Sequence, residues 1–256
     1  GVYSKRGMKI KIEGKEISNG DGSVHHGEYA TGTLKLEAGK KYPIEVEFIS
    51  DDSNATAQLL WTRPDINKID EAVQITQEAD MEMVVLGLSQ RIEGEGGDRE
   101  DIDLPEDQQE LLKAVQATRK PVVLVLNAGS ALAINWAKEN IDAIVNVGYP
   151  GEEGGNALAD VVFGDYNPAG RLPITYYKSV DELPPFKDYD MDDRTYRYYD
   201  GDPLYPFGYG LSYTKFEYSN LKVPQQVQAG DEVNISVTVK NTGARAGDEV
   251  VQLYLK

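Results

Sequence analysis

Three short apolar runs that alternate with helix-like segments constrain the fold of this chain more than any other feature. The runs cover residues 83–88, 122–126 and 143–147, and each contains at least two β-branched residues. Strands of near-continuous apolar sequence are typical of parallel sheets that helices cover on both faces. Because a strand–helix–strand unit joins its two strands in parallel, the pattern predicts a parallel sheet with flanking helices.

Four segments around these runs have the spacing or the start signals of helices. Pro105 stands at the start of one segment, and Ser130 is the expected N-cap of another. The segments are residues 66–79, 106–118, 131–139 and 156–163. A last short strand is expected at residues 171–175.

The sequence on either side of this α/β region alternates apolar and polar residues, as antiparallel strands with one face in water do. A hairpin signal occurs at residues 8–17, and a stretch rich in Pro, Asp and Tyr precedes the second alternating region. The expected fold class is an α/β sandwich domain, a parallel sheet with flanking helices, between two partial β-sandwiches. The expected boundaries are 1–64 for the first β-sandwich, 65–178 for the α/β domain, 179–213 for a connecting segment and 214–256 for the second β-sandwich.

Composition argues against several classes of partner. The formal net charge of −17 disfavours nucleic acid binding, since phosphate-binding surfaces need clustered Lys and Arg. With no cysteine and only His25 and His26, we expect no metal site and no cofactor. Asp51, Asp52 and Asn54 could bind calcium, but they lack the EF-hand spacing. No apolar run approaches membrane-spanning length, so no membrane partner is expected.

The first apolar run ends in a stretch of glycine and acid, residues 91–100, which we call the acidic turn. It places Glu93, Glu95 and Asp98 at the rim of the predicted sheet, where a ligand can reach them. On spacing alone, a solvated acidic loop explains the turn equally well. A glycosidase, however, needs two carboxyl groups, one of which is kept protonated. Glu95, between two glycines, could be such an acid.

The other charged residues of the acidic turn have different expected roles. Asp98 and Arg99 are interpreted as the pair that pins the turn, because an Asp beside an always-charged Arg stays ionised and cannot donate a proton. Glu93 could serve either as the acid or as a support of the turn.

Two further motifs are better explained by structure than by chemistry. Residues 148–155, the glycine-rich turn, follow a strand and open a helix, but they lack the Walker Lys-Ser/Thr pair and the GxGxxG spacing. We interpret them as a tight turn with close backbone approach. Gly129-Ser130 does not complete the GxSxG pattern of a nucleophile elbow, so Ser130 is interpreted as a helix cap.

Several motifs in the same order resemble the C-terminal half of glycoside hydrolase family 3. They are Glu95-Gly-Gly-Asp-Arg99 with Asp103-Leu-Pro105 and Gln108, Pro121-Val-Val-Leu-Val125, Asn127-Ala-Gly-Ser130, Tyr149-Pro-Gly-Glu-Glu-Gly-Gly155, Phe163-Gly-Asp-Tyr-Asn-Pro-Ala-Gly-Arg-Leu-Pro173 and Leu204-Tyr-Pro-Phe-Gly-Tyr-Gly-Leu-Ser-Tyr-Thr214. The resemblance covers residues 66–256. The first 63 residues resemble the tail of a PA14 domain, a β-sandwich that some members carry inserted here, and the last region resembles part of a fibronectin type III domain.

The resemblance implies an incomplete glycosidase. Glu95 matches the general acid/base, Asp98 and Arg99 match the rest of its pattern, and the nucleophilic Asp belongs to a TIM barrel that these 256 residues lack. The implied mechanism is retaining, with the acid protonating the leaving oxygen and then activating water. The implied partners are this missing N-terminal barrel portion and a β-linked oligosaccharide or glycoside.

We therefore expect a secreted or periplasmic fragment of an exo-β-glycosidase that removes terminal β-linked glucose or xylose. Residues 183–186 and 194–198 resemble the β-xylosidase members more closely. The alternative is a carbohydrate-binding or adhesion module without catalysis, since β-sandwiches of both kinds occur in such proteins.

Overall fold

The computed structural model of the chain describes residues 2–4, 8–20, 28–48, 57–62, 67–89, 92–96 and 98–254. The two histidines and the calcium candidates Asp51, Asp52 and Asn54 lie outside the described residues. The chain divides into two compact units, Gly1–Glu71 and Ala72–Lys256. Each unit is described by itself below.

The described residues of the N-terminal unit form two antiparallel sheets of three strands each. One sheet has the order β4-β1-β6 and the other β3-β2-β5. The strands are β1 Val2–Ser4, β2 Met8–Ile12, β3 Lys15–Gly20, β4 Glu28–Ala30, β5 Ile44–Phe48 and β6 Ala57–Leu59. The β2–β3 pair confirms the predicted hairpin, with Gly14 in the left-handed conformation at its turn.

The described core of this unit is small. Met8 and Ile10 on β2 are buried, and Ile12 packs against them. The register places Phe48, Val46 and Ile44 of β5 opposite these three residues. The β5 side chains are nevertheless exposed, Ile44 by 55% of its surface, so the apolar face of this sheet is only partly covered by the described residues.

The second unit contains the predicted parallel sheet, with strand order β7-β8-β9. Its strands are β7 Glu82–Gly87, β8 Val122–Asn127 and β9 Ala143–Asn146. The helices are α1 Lys68–Glu78, α2 Glu106–Gln116, α3 Asn135–Asn140, α4 Gly154–Phe163 and the short α5 Thr195–Tyr198. The sequence of α1 includes the division between the two units. A 3₁₀ turn covers Val180–Glu182. At 171–176, in place of the predicted strand, the structure has a single antiparallel bridge between Tyr176 and Tyr205.

One face of the parallel sheet forms the main hydrophobic core. Val84 and Leu86 of β7 lie beside Leu124 and Leu126 of β8, and all four are buried. Leu112 of α2 and Leu132 belong to the same cluster. On the opposite face, Met83 and Val85 are 40% and 60% exposed. The described residues therefore cover the two faces unequally.

The C-terminal region forms an antiparallel pair, β10 Phe216–Lys222 and β11 Ser236–Asn241. Buried Asn167 links this region to the α/β region. Its side-chain oxygen accepts hydrogen bonds from Ser212 Oγ at 2.9 Å and from the Tyr213 amide at 2.7 Å, and its nitrogen donates to the Ala246 carbonyl at 2.8 Å. Through these hydrogen bonds the buried Asn167 side chain holds together its own segment, the segment of Ser212 and Tyr213, and the segment of Ala246.

Candidate active site

The entrance to the acidic turn is fixed by a side chain of α2. Gln108 accepts a hydrogen bond from the Gly87 amide and donates one to the Gly87 carbonyl, both at 2.9 Å. Gly87 has a φ of 148°, and a Cβ there would lie 1.9 Å from the Asn127 carbonyl oxygen. Only glycine fits this close strand pairing. The last residue of β7 is thus held on both sides before the chain enters the turn.

Glu93 fixes the near side of the acidic turn. Its carboxylate accepts hydrogen bonds from the Gly129 amide at 2.7 Å, from the Ser130 hydroxyl and from the Tyr149 hydroxyl. These three donors come from the segments that follow β8 and β9. The carboxyl ends of adjacent parallel strands meet at the same edge of a sheet, which brings the three segments together.

Arg99 fixes the far side of the turn. Its guanidinium donates to the Ser130 hydroxyl at 2.9 Å, to the Ala131 carbonyl at 3.0 Å and to the Asp103 carbonyl at 3.4 Å. The described residues contain no ion pair between Arg99 and Asp98, and Asp98 is exposed. The guanidinium thus contacts the segment after β8 and the chain just beyond the turn.

Ser130 lies between these two charged groups, accepting from Arg99 and donating to Glu93. Its prediction as a helix cap is wrong, because α3 begins at Asn135 with Ile134 as its N-cap residue. The serine hydroxyl is used instead to join the two ends of the acidic turn.

Glu95 lies at the tip of the turn, between Glu93 and Arg99. It is exposed, and among the described residues no hydrogen bond or ion pair involves its carboxylate. Gly96 beside it adopts a φ of 75°, a conformation that other residues rarely take. The arrangement holds the turn at two points, and the exposed Glu95 lies between them.

The surroundings shift the pKa of three groups near the turn. Burial would raise the pKa of Glu93, but the hydrogen bonds from Ser130, Tyr149 and Gly129 and the charge of Arg99 lower it below its usual value. Burial and the bond to Glu93 raise the pKa of Tyr149. Burial, with a smaller contribution from Asp101, raises the pKa of Asp103. Glu93 is therefore an ionised acceptor, which fits a support of the turn better than an acid.

The sequence did not identify Gly129 and Tyr149 as parts of the site. A Cβ at position 129 would lie 2.7 Å from the Tyr149 ring, so the glycine makes room for the tyrosine. The available signal was positional, since both residues follow predicted strands at the same edge of the sheet. The sequence alone did not show which side chains meet there.

A cavity of about 790 Å³ lies beside the turn, on the side of α2. Ile92, Arg99, Asp103 and Leu104 line it, together with residues of α2, and neither Glu93 nor Glu95 does. It is thus separate from the exposed carboxylate. Among the described residues, no three His, Cys, Asp or Glu side chains converge in a way that could hold a metal ion.

The sequence profile described as "Glycosyl hydrolase family 3 C-terminal domain" matches residues 4–213. The chain belongs to glycoside hydrolase family 3. A xylan 1,4-beta-xylosidase of Xylanibacter ruminicola is 43% identical over 270 residues, covering 100% of this chain and 30% of the relative. A periplasmic beta-glucosidase of Salmonella typhimurium is 44% identical over 201 residues, covering 73% of this chain and 26% of the relative.

Solved structures of the family agree with the fold. A beta-glucosidase from Kluyveromyces marxianus, solved in complex with glucose, matches with a TM-score of 0.75 at 29% identity. The match covers 94% of this family 3 chain and 32% of that protein. The chain thus spans about a third or less of the length of these relatives. Within the described ranges, no helix is both long and apolar enough to cross a bilayer.

Proposed function

We propose that this chain supplies the general acid/base carboxylate, Glu95, of a retaining exo-β-glycosidase. The observation that carries the proposal is the exposed Glu95 at the tip of a turn whose two sides are fixed by Glu93 and Arg99. Such a group can move a proton to and from a ligand while the turn keeps its place. Membership of family 3 supports the assignment, because the resemblance of the acidic turn to the family motif implies Glu95 as the acid/base.

The second carboxyl group of the mechanism belongs to a TIM barrel outside this chain. In a retaining enzyme the nucleophile and the acid lie about 5–5.5 Å apart across the scissile bond. The nucleophile attacks the anomeric carbon while Glu95 protonates the leaving oxygen. Glu95 then deprotonates the water that releases the sugar. The 256-residue chain by itself is expected to be inactive.

The proposed substrates are glycosides with a terminal β-linked glucose or xylose. The relatives carry the names beta-xylosidase and beta-glucosidase. The two sugars differ by one hydroxymethyl group, and an apolar contact of that size discriminates by only about 1–3 kcal/mol. The relative named as periplasmic supports a location outside the cytoplasm, secreted or periplasmic.

The β-rich regions are proposed to belong to accessory domains. The two antiparallel sheets before residue 64 fit part of a PA14-like sandwich, and β10 and β11 fit part of a fibronectin type III-like sandwich. The boundaries 1–64, 65–178, 179–213 and 214–256 remain predictions.

The test is Glu95→Gln in the full-length parent enzyme that includes the barrel. Glycosides with poor leaving groups need the proton most, so kcat on them is expected to fall by about 10²–10⁴-fold. Activated aryl glycosides should keep a larger share of the activity. Glu139→Gln, which removes an exposed charge from α3 instead, is the control and should retain its activity on both substrates.

Equal loss of activity on both kinds of substrate would contradict the acid/base role and point to a structural one. Calorimetric titration of the 256-residue chain with xylose, glucose and β-linked oligosaccharides addresses the alternative. A carbohydrate-binding or adhesion module should bind these sugars unaided, whereas half of an active site should not.

A further inference from the structure

The glycine-rich turn, residues 148–155, lacks the signature of a phosphate loop but contacts the acidic turn. It presents Tyr149, whose side chain is 53% exposed and whose hydroxyl contacts the acidic turn. The hydroxyl bonds to the Glu93 carboxylate and lies 3.3 Å from the Leu88 carbonyl oxygen. A phenol has one proton to donate, and the ionised carboxylate is the stronger acceptor. Tyr149 therefore contributes a charge-assisted bond to the acidic turn.

The surroundings of Tyr149 are shaped to allow this contact. The missing Cβ of Gly129 leaves room for the ring, and the same glycine's amide shares the Glu93 carboxylate with the phenol. Gly148, directly before the tyrosine, has a φ of 60°, and a Cβ on Gly154 would lie 2.5 Å from Pro150. The glycines thus allow a compact turn that places the ring against Glu93.

We propose that Tyr149 is a positioning residue that acts through Glu93 to set the place of the Glu95 carboxyl group. The inference rests on the proposed acid/base function of Glu95. Glu95 lies two residues after Glu93, and glycines stand on both sides of it. Because glycine allows wide backbone freedom, the place of Glu95 depends on how firmly Glu93 is held. A displacement of about 1 Å in such a group can cost a hundredfold in rate.

Tyr149→Phe in the full-length enzyme tests the proposal, because it removes the hydroxyl and keeps the ring. On glycosides with poor leaving groups, kcat is expected to fall about 10–100-fold with little change in KM. On activated aryl glycosides the loss should be several times smaller, because these leaving groups need less protonation. Tyr166→Phe, at another half-exposed phenol, is the control and should leave both activities unchanged.

A double-mutant cycle separates positioning from general damage. Once Glu95→Gln has removed the acid, adding Tyr149→Phe should cost no more than about twofold on the poor leaving group. A purely structural role predicts that the two losses multiply, which would overturn the inference, as would an equal loss of Tyr149→Phe on both substrates. Thermal unfolding of each variant reports whether the fold is retained.

The two proposals fail in distinguishable ways. If Glu95→Gln shows the leaving-group dependence and Tyr149→Phe does not, only the positioning role of Tyr149 is wrong. If Glu95→Gln shows no such dependence, the acid/base assignment is wrong and the role of Tyr149 falls with it.

Discussion

The two units of the chain differ in how much apolar surface their described residues bury. In the N-terminal unit, Met8 and Ile10 form a cluster of two buried residues, and the opposing side chains of β5 remain exposed. In the α/β unit, a cluster of 16 buried residues lies against one face of the parallel sheet. Since burial of apolar area is the main source of folding stability, most of the stability of this chain should reside in the α/β unit. The candidate site thus lies on the better packed of the two units.

The largest expected effect comes from opening the core of the α/β unit. Leu124 is fully buried on the central strand, so Leu124→Ala should lower the free energy of unfolding by about 3–5 kcal/mol. Val46 is 40% exposed on β5, and Val46→Ala should cost below about 1 kcal/mol.

Urea unfolding can follow the two units separately by tryptophan fluorescence, because Trp61 lies in one unit and Trp136 in the other. Trp61→Phe and Trp136→Phe backgrounds each leave a single reporter. Similar costs for Leu124→Ala and Val46→Ala would remove the contrast between the units.

A smaller change in stability is expected when the same substitution is made on each face of the parallel sheet, at neighbouring positions of β7. Val84 is buried, so Val84→Thr places a hydroxyl in the core at a cost of about 1–3 kcal/mol. Val85 is 60% exposed, and Val85→Thr should change stability by less than about 0.5 kcal/mol. The substitution and the strand are the same, so any difference between the two changes in the free energy of unfolding reflects how well each face is buried. Equal costs at both positions would show that the Val85 face is covered in solution.

The sequence predicted the α/β region well because its signals are local. The apolar runs at 83–88, 122–126 and 143–147 lie within one residue of the strands β7, β8 and β9. The same runs predicted helices over both faces; on the face opposite the main core, Val85 of β7 is exposed and its neighbour Val125 of β8 is buried. Helix α3 begins at Asn135, later than predicted. The prediction failed because the local spacing of apolar residues does not show whether the Ser130 hydroxyl caps a helix or bonds to a distant turn.

The candidate site could be predicted only in part, because its contacts are long-range. The acidic turn and its position after a strand were readable from local sequence. The bonds of Glu93 to Ser130 and Tyr149 span 37 and 56 residues, and no local pattern specifies which partners meet. The same holds for Asn167, which accepts hydrogen bonds from Ser212 and Tyr213 of another motif, 45 and 46 residues away.

The smallest expected effect concerns pH, and it compares one carboxylate from each unit. The pKa of Glu47 is lowered by its bond to Lys11 and by the charge of that residue, in an ion pair whose side chains are 28% and 44% exposed. Burial would raise the pKa of Glu93, but three hydrogen bonds and Arg99 lower it overall. A carboxylate with a lowered folded-state pKa stabilises the fold above its unfolded pKa, near 4.5 for Glu, and loses that contribution as pH falls through the folded value.

Of the two carboxylates, Glu93 should carry the larger acid sensitivity. Glu93→Gln is expected to lower the free energy of unfolding by about 1 kcal/mol at pH 7, the net worth of a partly exposed hydrogen bond to a charged group. The difference from the unaltered chain should shrink below about pH 4.5 as the wild-type carboxylate is protonated. Glu47→Gln, the control, should show a much smaller pH-dependent difference, because exposed ion pairs contribute little. Urea unfolding at several pH values between 7 and 3.5, followed by Trp136 fluorescence, measures both variants. A difference for Glu93→Gln that stays constant with pH would mean that the carboxylate acts by its shape and not by its charge.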